Sequence, residues 1–183
     1  MVLLKSIPGS LGSEIIDFSL KGIDGKVHSP SDYKDSGILI VIFMCNHCPY
    51  VKAVIGRFVK FQEAYLSKGV RLIGINSNDT DAYPDDSFEN MILFSKERSM
   101  NFSYLIDDMQ NIAKAYDAVC TPDIYVYDKE RKLRYRGRYD DNWQDETKVK
   151  SVDLEKAVIN LLNNEEINFE QIPSLGCSIK WKN

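Results

Sequence analysis

Seven consecutive apolar residues, Ile38 to Met44 (Ile-Leu-Ile-Val-Ile-Phe-Met), run directly into Cys45-Asn46-His47-Cys48. A continuous run rich in β-branched residues suits a strand covered on both faces, which calls for a sheet with helices on each side. After Cys48, apolar residues at Val51, Val54, Ile55, Phe58, Val59, Phe61 and Leu66 recur at spacings of three and four. That period predicts a long amphipathic helix closing near Gly69. Strand, cysteine pair and helix therefore follow one another without a linker.

The rest of the chain extends this unit. Ile16 to Leu20 and Lys26 to Ser29, separated by Asp24 and Gly25, read as an N-terminal β-hairpin. Val70 to Ile75 reads as a second strand. Asp86 with Glu89 three residues on has the form of a capping box opening a helix through about Arg98. A short helix over 110–116 precedes Cys120-Thr121-Pro122. Asp123 to Asp128 and Leu133 to Tyr139 then form a hairpin across the charged turn 129–132. Val152 to Leu162 is a last amphipathic helix. Residues 165–183 read as an irregular tail whose Ile179 and Trp181 dock it on the body. The expected architecture is one α/β domain over residues 1–183, βαβ followed by ββα, with a core of about 14–163 and a docking tail over 164–183.

Composition narrows the partners. The net charge is −4 and the 23 Lys and Arg residues are dispersed, so no basic surface is expected to grip nucleic acid. The longest apolar run, Ile38 to Cys45, falls far short of the ~20 residues that span a bilayer. The first residues show no charged leader ahead of an apolar stretch, which gives the expectation of a cytoplasmic protein without membrane contact. In such a reducing compartment four cysteines point to catalysis or metal binding rather than to a structural disulfide framework.

Two cysteines one helical turn apart, where a buried strand becomes a helix, put the first sulfur near unpaired N–H groups and the positive end of the helix dipole. The expectation is a lowered pKa at Cys45, which attacks, and a resolving role for Cys48. His47 stands where its imidazole could hydrogen-bond the Cys45 thiolate. Zinc sites use the same spacing, and Cys45, His47, Cys48 and Cys120 offer four soft or borderline ligands, so a metal-binding module is an alternative.

The segment Ile42 to Val51, the turn Cys120-Thr121-Pro122-Asp123 and the ending Gly176-Cys177-Ser178-Ile179-Lys180-Trp181-Lys182 resemble the peroxiredoxin-like branch of the thioredoxin superfamily, the alkyl hydroperoxide reductase/thiol-specific antioxidant type. The resemblance covers nearly the whole chain from about Ser10. It implies a thioredoxin-like fold, a thiol-disulfide oxidoreductase without a cofactor, and a cis Pro122 facing the dithiol with Thr121 offering its backbone to substrate. A disulfide-bearing protein or small molecule would be the substrate, and a thiol of the thioredoxin or glutathione type the electron donor. The alternative it carries is a hydroperoxide-reducing antioxidant protein with Cys48 as the reactive thiol. Against that alternative, Val41, Cys45 and Pro122 stand where peroxiredoxins hold their Pro, Thr and Arg, which removes electrostatic support for peroxide. Leu39 occupies the position of the thioredoxin carboxylate, so Asp79 becomes the candidate base for Cys48, or else a loop-capping residue. Cys120 and Cys177, which recur in the resembled motifs, are candidate relay thiols or buried apolar residues.

Overall fold

A computed structural model describes residues 3–182. In chain order its strands and α-helices are β1 (Leu3–Lys5), β2 (Leu20–Gly22), β3 (Val27–His28), β4 (Ile38–Phe43), α1 (Pro49–Tyr65), β5 (Val70–Asn76), α2 (Phe88–Glu97), β6 (Ser103–Ile106), α3 (Asn111–Ala115), β7 (Cys120–Thr121), β8 (Asp123–Tyr127), β9 (Leu133–Gly137), α4 (Asp153–Leu162) and β10 (Leu175–Ser178). Among the described residues, seven strands form one mixed sheet in the order β3-β2-β6-β5-β4-β8-β9, and β1-β10-β7 form a smaller antiparallel sheet.

β4 lies inside the main sheet, parallel to β5 and antiparallel to β8, and all six of its residues are buried. Strand alternation sends Ile38, Ile40 and Ile42 to one side, where they meet Val51, Val54, Ile55 and Phe58 of α1 and Leu154 and Val158 of α4. Leu39, Val41 and Phe43 go to the other side, against Phe18, Ile73, Leu105, Tyr116 and Tyr125. Two apolar layers on one strand account for the unbroken hydrophobic run. Each such side chain contributes about 1.5–3 kcal/mol through burial. The long helix ends as its pattern predicts: a short 3₁₀ turn over Leu66–Lys68 closes on Gly69, whose φ of 79° is the left-handed conformation that glycine adopts without strain.

Four features depart from expectation. The N-terminal hairpin is present, but β2 starts at Leu20 and pairs with β6, so the hairpin forms one edge of the main sheet. β6 itself has no sequence signature: it is four residues long and owes its extended form to parallel pairing with β5. α2 is capped by Ser87, whose Oγ accepts the N–H of Asn90, while Asp86 turns inward, fully buried. The tail does dock, but as strand β10, with Leu3 opposite Cys177 on one side and Cys177 opposite Thr121 on the other.

Candidate active site

Cys45 and Cys48 sit where β4 gives way to α1, and both are buried. Cys48 is the N-cap of α1, with φ −65° and ψ 120°, and Pro49 fills the first helical position, where a missing N–H costs nothing. The intervening turn is clamped by Asp86. One carboxylate oxygen accepts the backbone N–H groups of Asn46 (2.8 Å) and His47 (3.1 Å). The other accepts Asn78 Nδ2 (2.7 Å) and His47 Nδ1 (2.5 Å). Tyr104 donates to Asn46 Oδ1, Asn46 donates to the Asp85 carbonyl, and the His47 ring stacks on Tyr83. Burial alone would raise the pKa of Asp86, but the hydrogen bonds from His47 and Asn78 outweigh it and hold the carboxyl below its usual range.

The opposite wall is the bond between Thr121 and Pro122, which is cis as the resemblance implies. Thr121 Oγ1 lies 3.5 Å from Cys45 Sγ, and the Thr121 carbonyl accepts from the Cys48 thiol at 3.2 Å. Behind it, buried Asp123 pairs with buried Arg136 at 2.8 Å, tying the proline turn to β9. Sequence reasoning had not singled out either residue. A cleft of about 310 Å³ opens beside Pro122, lined by Tyr50, Val54, Trp143, Ile172 and Leu175.

The acid strengths within the pair reverse the sequence expectation. A hydrogen bond from Cys45 is the largest influence on Cys48, joined by the Thr121 side chain, Cys177 and the Val51 N–H, and against burial they lower its pKa to about 5. Cys45 goes the other way, raised by its bond to Cys48, by burial and by the Asp86 charge. The physical reason is chiefly the contact between the two sulfurs. The hydrogen bond between the two sulfurs favours charge on Cys48 and opposes it on Cys45, the Val51 N–H at the start of α1 adds a smaller favourable contact to Cys48, and Cys45 faces a buried carboxylate.

The other candidates are distributed as follows. His47 donates to Asp86, and the Cys45 sulfur, a His47 ring nitrogen and an Asp86 oxygen lie within 4.8 Å of one another. Among the described residues that trio, rather than the set with Cys48 and Cys120, is the one that could hold a borderline cation, although each Asp86 oxygen already accepts two hydrogen bonds. Asp79 caps its own turn, accepting the N–H groups of Asp81 and Ala82, and the carboxylate that reaches the dithiol is Asp86. Asp86 carried a local signal, but one that pointed to a helix cap. Cys177 Sγ lies 3.1 Å from Cys48 Sγ. Burial, with the neighbouring Cys48, pushes the Cys177 thiol up to about 12. Cys120 is fully buried, its thiol pushed up by burial, and it pairs across the small sheet with Ser178.

Comparison with known proteins identifies the family and the fold. An uncharacterized conserved protein of Geobacillus kaustophilus superposes with a TM-score of 0.95 at 40% identity, over 100% of this chain and 97% of that one. A thiol:disulfide interchange protein of the thioredoxin family from Chlorobium tepidum superposes with a TM-score of 0.66 at 18% identity, over 85% of this chain and 99% of that one, a likeness of fold. By sequence, the thiol-disulfide oxidoreductase ResA of Geobacillus thermodenitrificans is 22% identical over 131 residues, 68% of this chain and 67% of the relative. The family described as AhpC/TSA matches residues 11–136, well over half of the sequence. The chain therefore belongs to the AhpC/TSA family and is an oxidoreductase acting on thiols or disulfides, built on the thioredoxin-like fold.

Proposed function

We infer that the chain exchanges disulfides through the Cys45/Cys48 pair, with Cys48 as the sulfur that carries the charge. One observation carries this reading: both sulfurs converge on Thr121 beside the cis proline, Cys45 lying 3.5 Å from its hydroxyl and Cys48, in its protonated form, donating to its carbonyl at 3.2 Å. A thiolate, not a thiol, attacks a disulfide, and Cys48 is the thiol with the depressed pKa. Its attack on a substrate disulfide forms a mixed disulfide and releases one substrate thiolate. Cys45 then surrenders its proton toward the His47–Asp86 couple and attacks Cys48 Sγ. The second substrate thiol leaves, and the two electrons it received are balanced by the new Cys45–Cys48 disulfide. The roles expected from spacing alone are thereby exchanged.

The substrate is a disulfide-bearing protein or small molecule whose chain lies in the cleft lined by Tyr50, Pro122 and Trp143. Because both sulfurs are buried, attack follows local opening of the 45–50 segment. A thiol donor of the thioredoxin or glutathione type restores the dithiol, and a reducing compartment such as the cytoplasm is the setting we assign. No helix among the described residues is long and apolar enough to cross a membrane.

The low pKa of Cys48, together with the family, also favours a second reading, peroxide reduction at that sulfur. Parallel assays of insulin disulfide reduction and hydroperoxide consumption separate the two. Exchange that is lost in both Cys45→Ser and Cys48→Ser, with slow peroxide turnover, supports the first. Rapid peroxide turnover that survives Cys45→Ser, with weak insulin reduction, overturns it.

A further inference from the structure

Cys48 touches a sulfur outside the dithiol. Cys177 Sγ is 3.1 Å from Cys48 Sγ, only about 1 Å beyond the length of a disulfide bond. This approach is built into the fold. β10 lies between β1 and β7, with Cys177 directly opposite Thr121, the residue both dithiol sulfurs contact. The neighbouring residue has to be glycine: a Cβ on Gly176 would fall 1.9 Å from the Thr121 carbonyl oxygen and 2.6 Å from its carbon. The strand is pinned at both ends. Ser174 exchanges hydrogen bonds with Ser6, Ile179 donates to Val119, and Lys180 donates to Asn78 and accepts from Asp79.

We propose that Cys177 is a third redox thiol, which takes the disulfide over from the Cys45/Cys48 pair. The inference rests on the disulfide-exchange reading above. In the step, the Cys177 sulfur attacks Cys48 Sγ of the Cys45–Cys48 disulfide. The Cys48–Cys177 bond forms, the Cys45–Cys48 bond breaks, and Cys45 leaves as a thiolate that takes up the proton Cys177 gave up. No net oxidation occurs, so no further reactant is required. The external dithiol that regenerates the protein then reduces a bond on the β10 side while Cys45 is already a thiol.

The acid strengths suit this order. Burial and the Cys48 charge hold Cys177 protonated while Cys48 is reduced. Once Cys48 enters a disulfide its charge is gone, the part of the elevation owed to Cys48 vanishes, and the nearby Lys180 charge favours the Cys177 thiolate. Cys177 is therefore held less strongly in its protonated form when there is a disulfide for it to attack, burial being the restraint that remains. Cys120 pairs with Ser178, one step away from the sulfur contact.

The test is disulfide mapping of the full chain. Wild-type protein is titrated with oxidised dithiothreitol, quenched in acid, alkylated and digested with trypsin. Cys45 and Cys48 share one tryptic peptide, so their disulfide appears as a loss of two hydrogens within it. A Cys48–Cys177 bond instead joins two peptides with Cys45 alkylated. The expected result is that both forms rise together, in a ratio independent of the amount of oxidant, as an internal equilibrium requires. If Cys177 stays fully alkylated while the Cys45–Cys48 form accumulates, the relay is overturned and the exchange function stands. If neither form accumulates, both fall. In Cys45→Ser, where the first disulfide cannot form, the Cys48–Cys177 link should appear at one equivalent of oxidant. Full alkylation of both cysteines there overturns the relay as well.

Discussion

Replacing Gly176 with alanine tests how tightly β10 is pressed onto the active-site turn. The added methyl carbon would stand 1.9 Å from the Thr121 carbonyl oxygen, 2.6 Å from its carbon and 3.2 Å from Pro122 nitrogen, and all three are backbone atoms that cannot swing aside. Relief requires β10 and β7 to separate by an amount comparable to the overlap. Overpacking of this kind typically costs about 1–3 kcal/mol, and with rigid backbone as the obstacle the upper end, about 3 kcal/mol, is the expectation. With a denaturant slope of about 2 kcal/mol/M in urea, the unfolding midpoint should fall by roughly 1.5 M. A matched control lies in α1. Gly56 is solvent-exposed with nothing within 4 Å of a built Cβ, so Gly56→Ala should raise stability by about 0.5–1 kcal/mol. The same chemical change is thus expected to act with opposite signs at two sites, read by urea unfolding followed by circular dichroism. A Gly176→Ala midpoint equal to that of wild type would refute the close approach of β10 to Thr121, and with it the geometry that delivers Cys177 to Cys48.

Further outcomes follow from the charges at the site. Thiolate ultraviolet absorbance should titrate with a midpoint at about 5, belonging to Cys48, and Cys45→Ala should move it upward because the largest stabilising hydrogen bond is lost. Because that pKa lies below a free thiol's ordinary value of 9.0, the thiolate's contribution to stability is absent below about 5, grows across the interval and is complete above 9, so the gap between wild type and Cys48→Ser should widen with pH over that range. Asp86→Asn leaves the buried donor Asn78 Nδ2 and the half-buried donor His47 Nδ1 without acceptors and should cost about 2–3 kcal/mol at pH 7. Since the Asp86 carboxyl is held below 3.8, that loss should shrink as pH falls beneath this value, which urea unfolding across pH measures. Removing the Asp86 charge should also lower the Cys45 pKa, whereas Asp79→Asn should leave the alkylation pH profile of the dithiol unchanged; a shift of equal size in both variants would restore Asp79 as a base.

The parts of this molecule that were legible in its sequence are those whose stabilisation is periodic. β4 and α1 each carry enough residues to show a pattern, and that pattern is the burial seen on both faces of the strand and one face of the helix. β6 is too short to show one, and only pairing with β5 makes it a strand. Asp86 was read as a helix cap because Asp-x-x-Glu is a local signal, but its four donors come from the turn it clamps and from Asn78, and the turn lies about forty residues away in sequence. Thr121 and Pro122 were found through a recurring motif, and the cis bond matched it. What spacing could not supply is the direction of charge. Two cysteines at one-turn separation are nearly symmetric in sequence, and the asymmetry arises from the hydrogen bond between the two sulfurs and the carboxylate behind Cys45.

That asymmetry gives the site a centre. Cys48 is the sulfur placed to bond in two directions, to Cys45 along the chain and to Cys177 across the small sheet. A single attacking thiol flanked by two partners needs them protonated at rest, or the negative charge would be shared and its nucleophilicity at Cys48 diluted. The structure meets that condition by different means on each side. Cys45 is kept neutral by its hydrogen bond to Cys48, by burial and by the Asp86 charge, while Cys177 is kept neutral by burial and by Cys48 itself. Oxidation of Cys48 weakens the restraint on both partners: Cys45 loses its largest one and keeps burial and the Asp86 charge, while Cys177 keeps burial. Once Cys48 has reacted, its disulfide therefore lies within reach of a released thiol on either side, Cys45 along the chain and Cys177 across the small sheet.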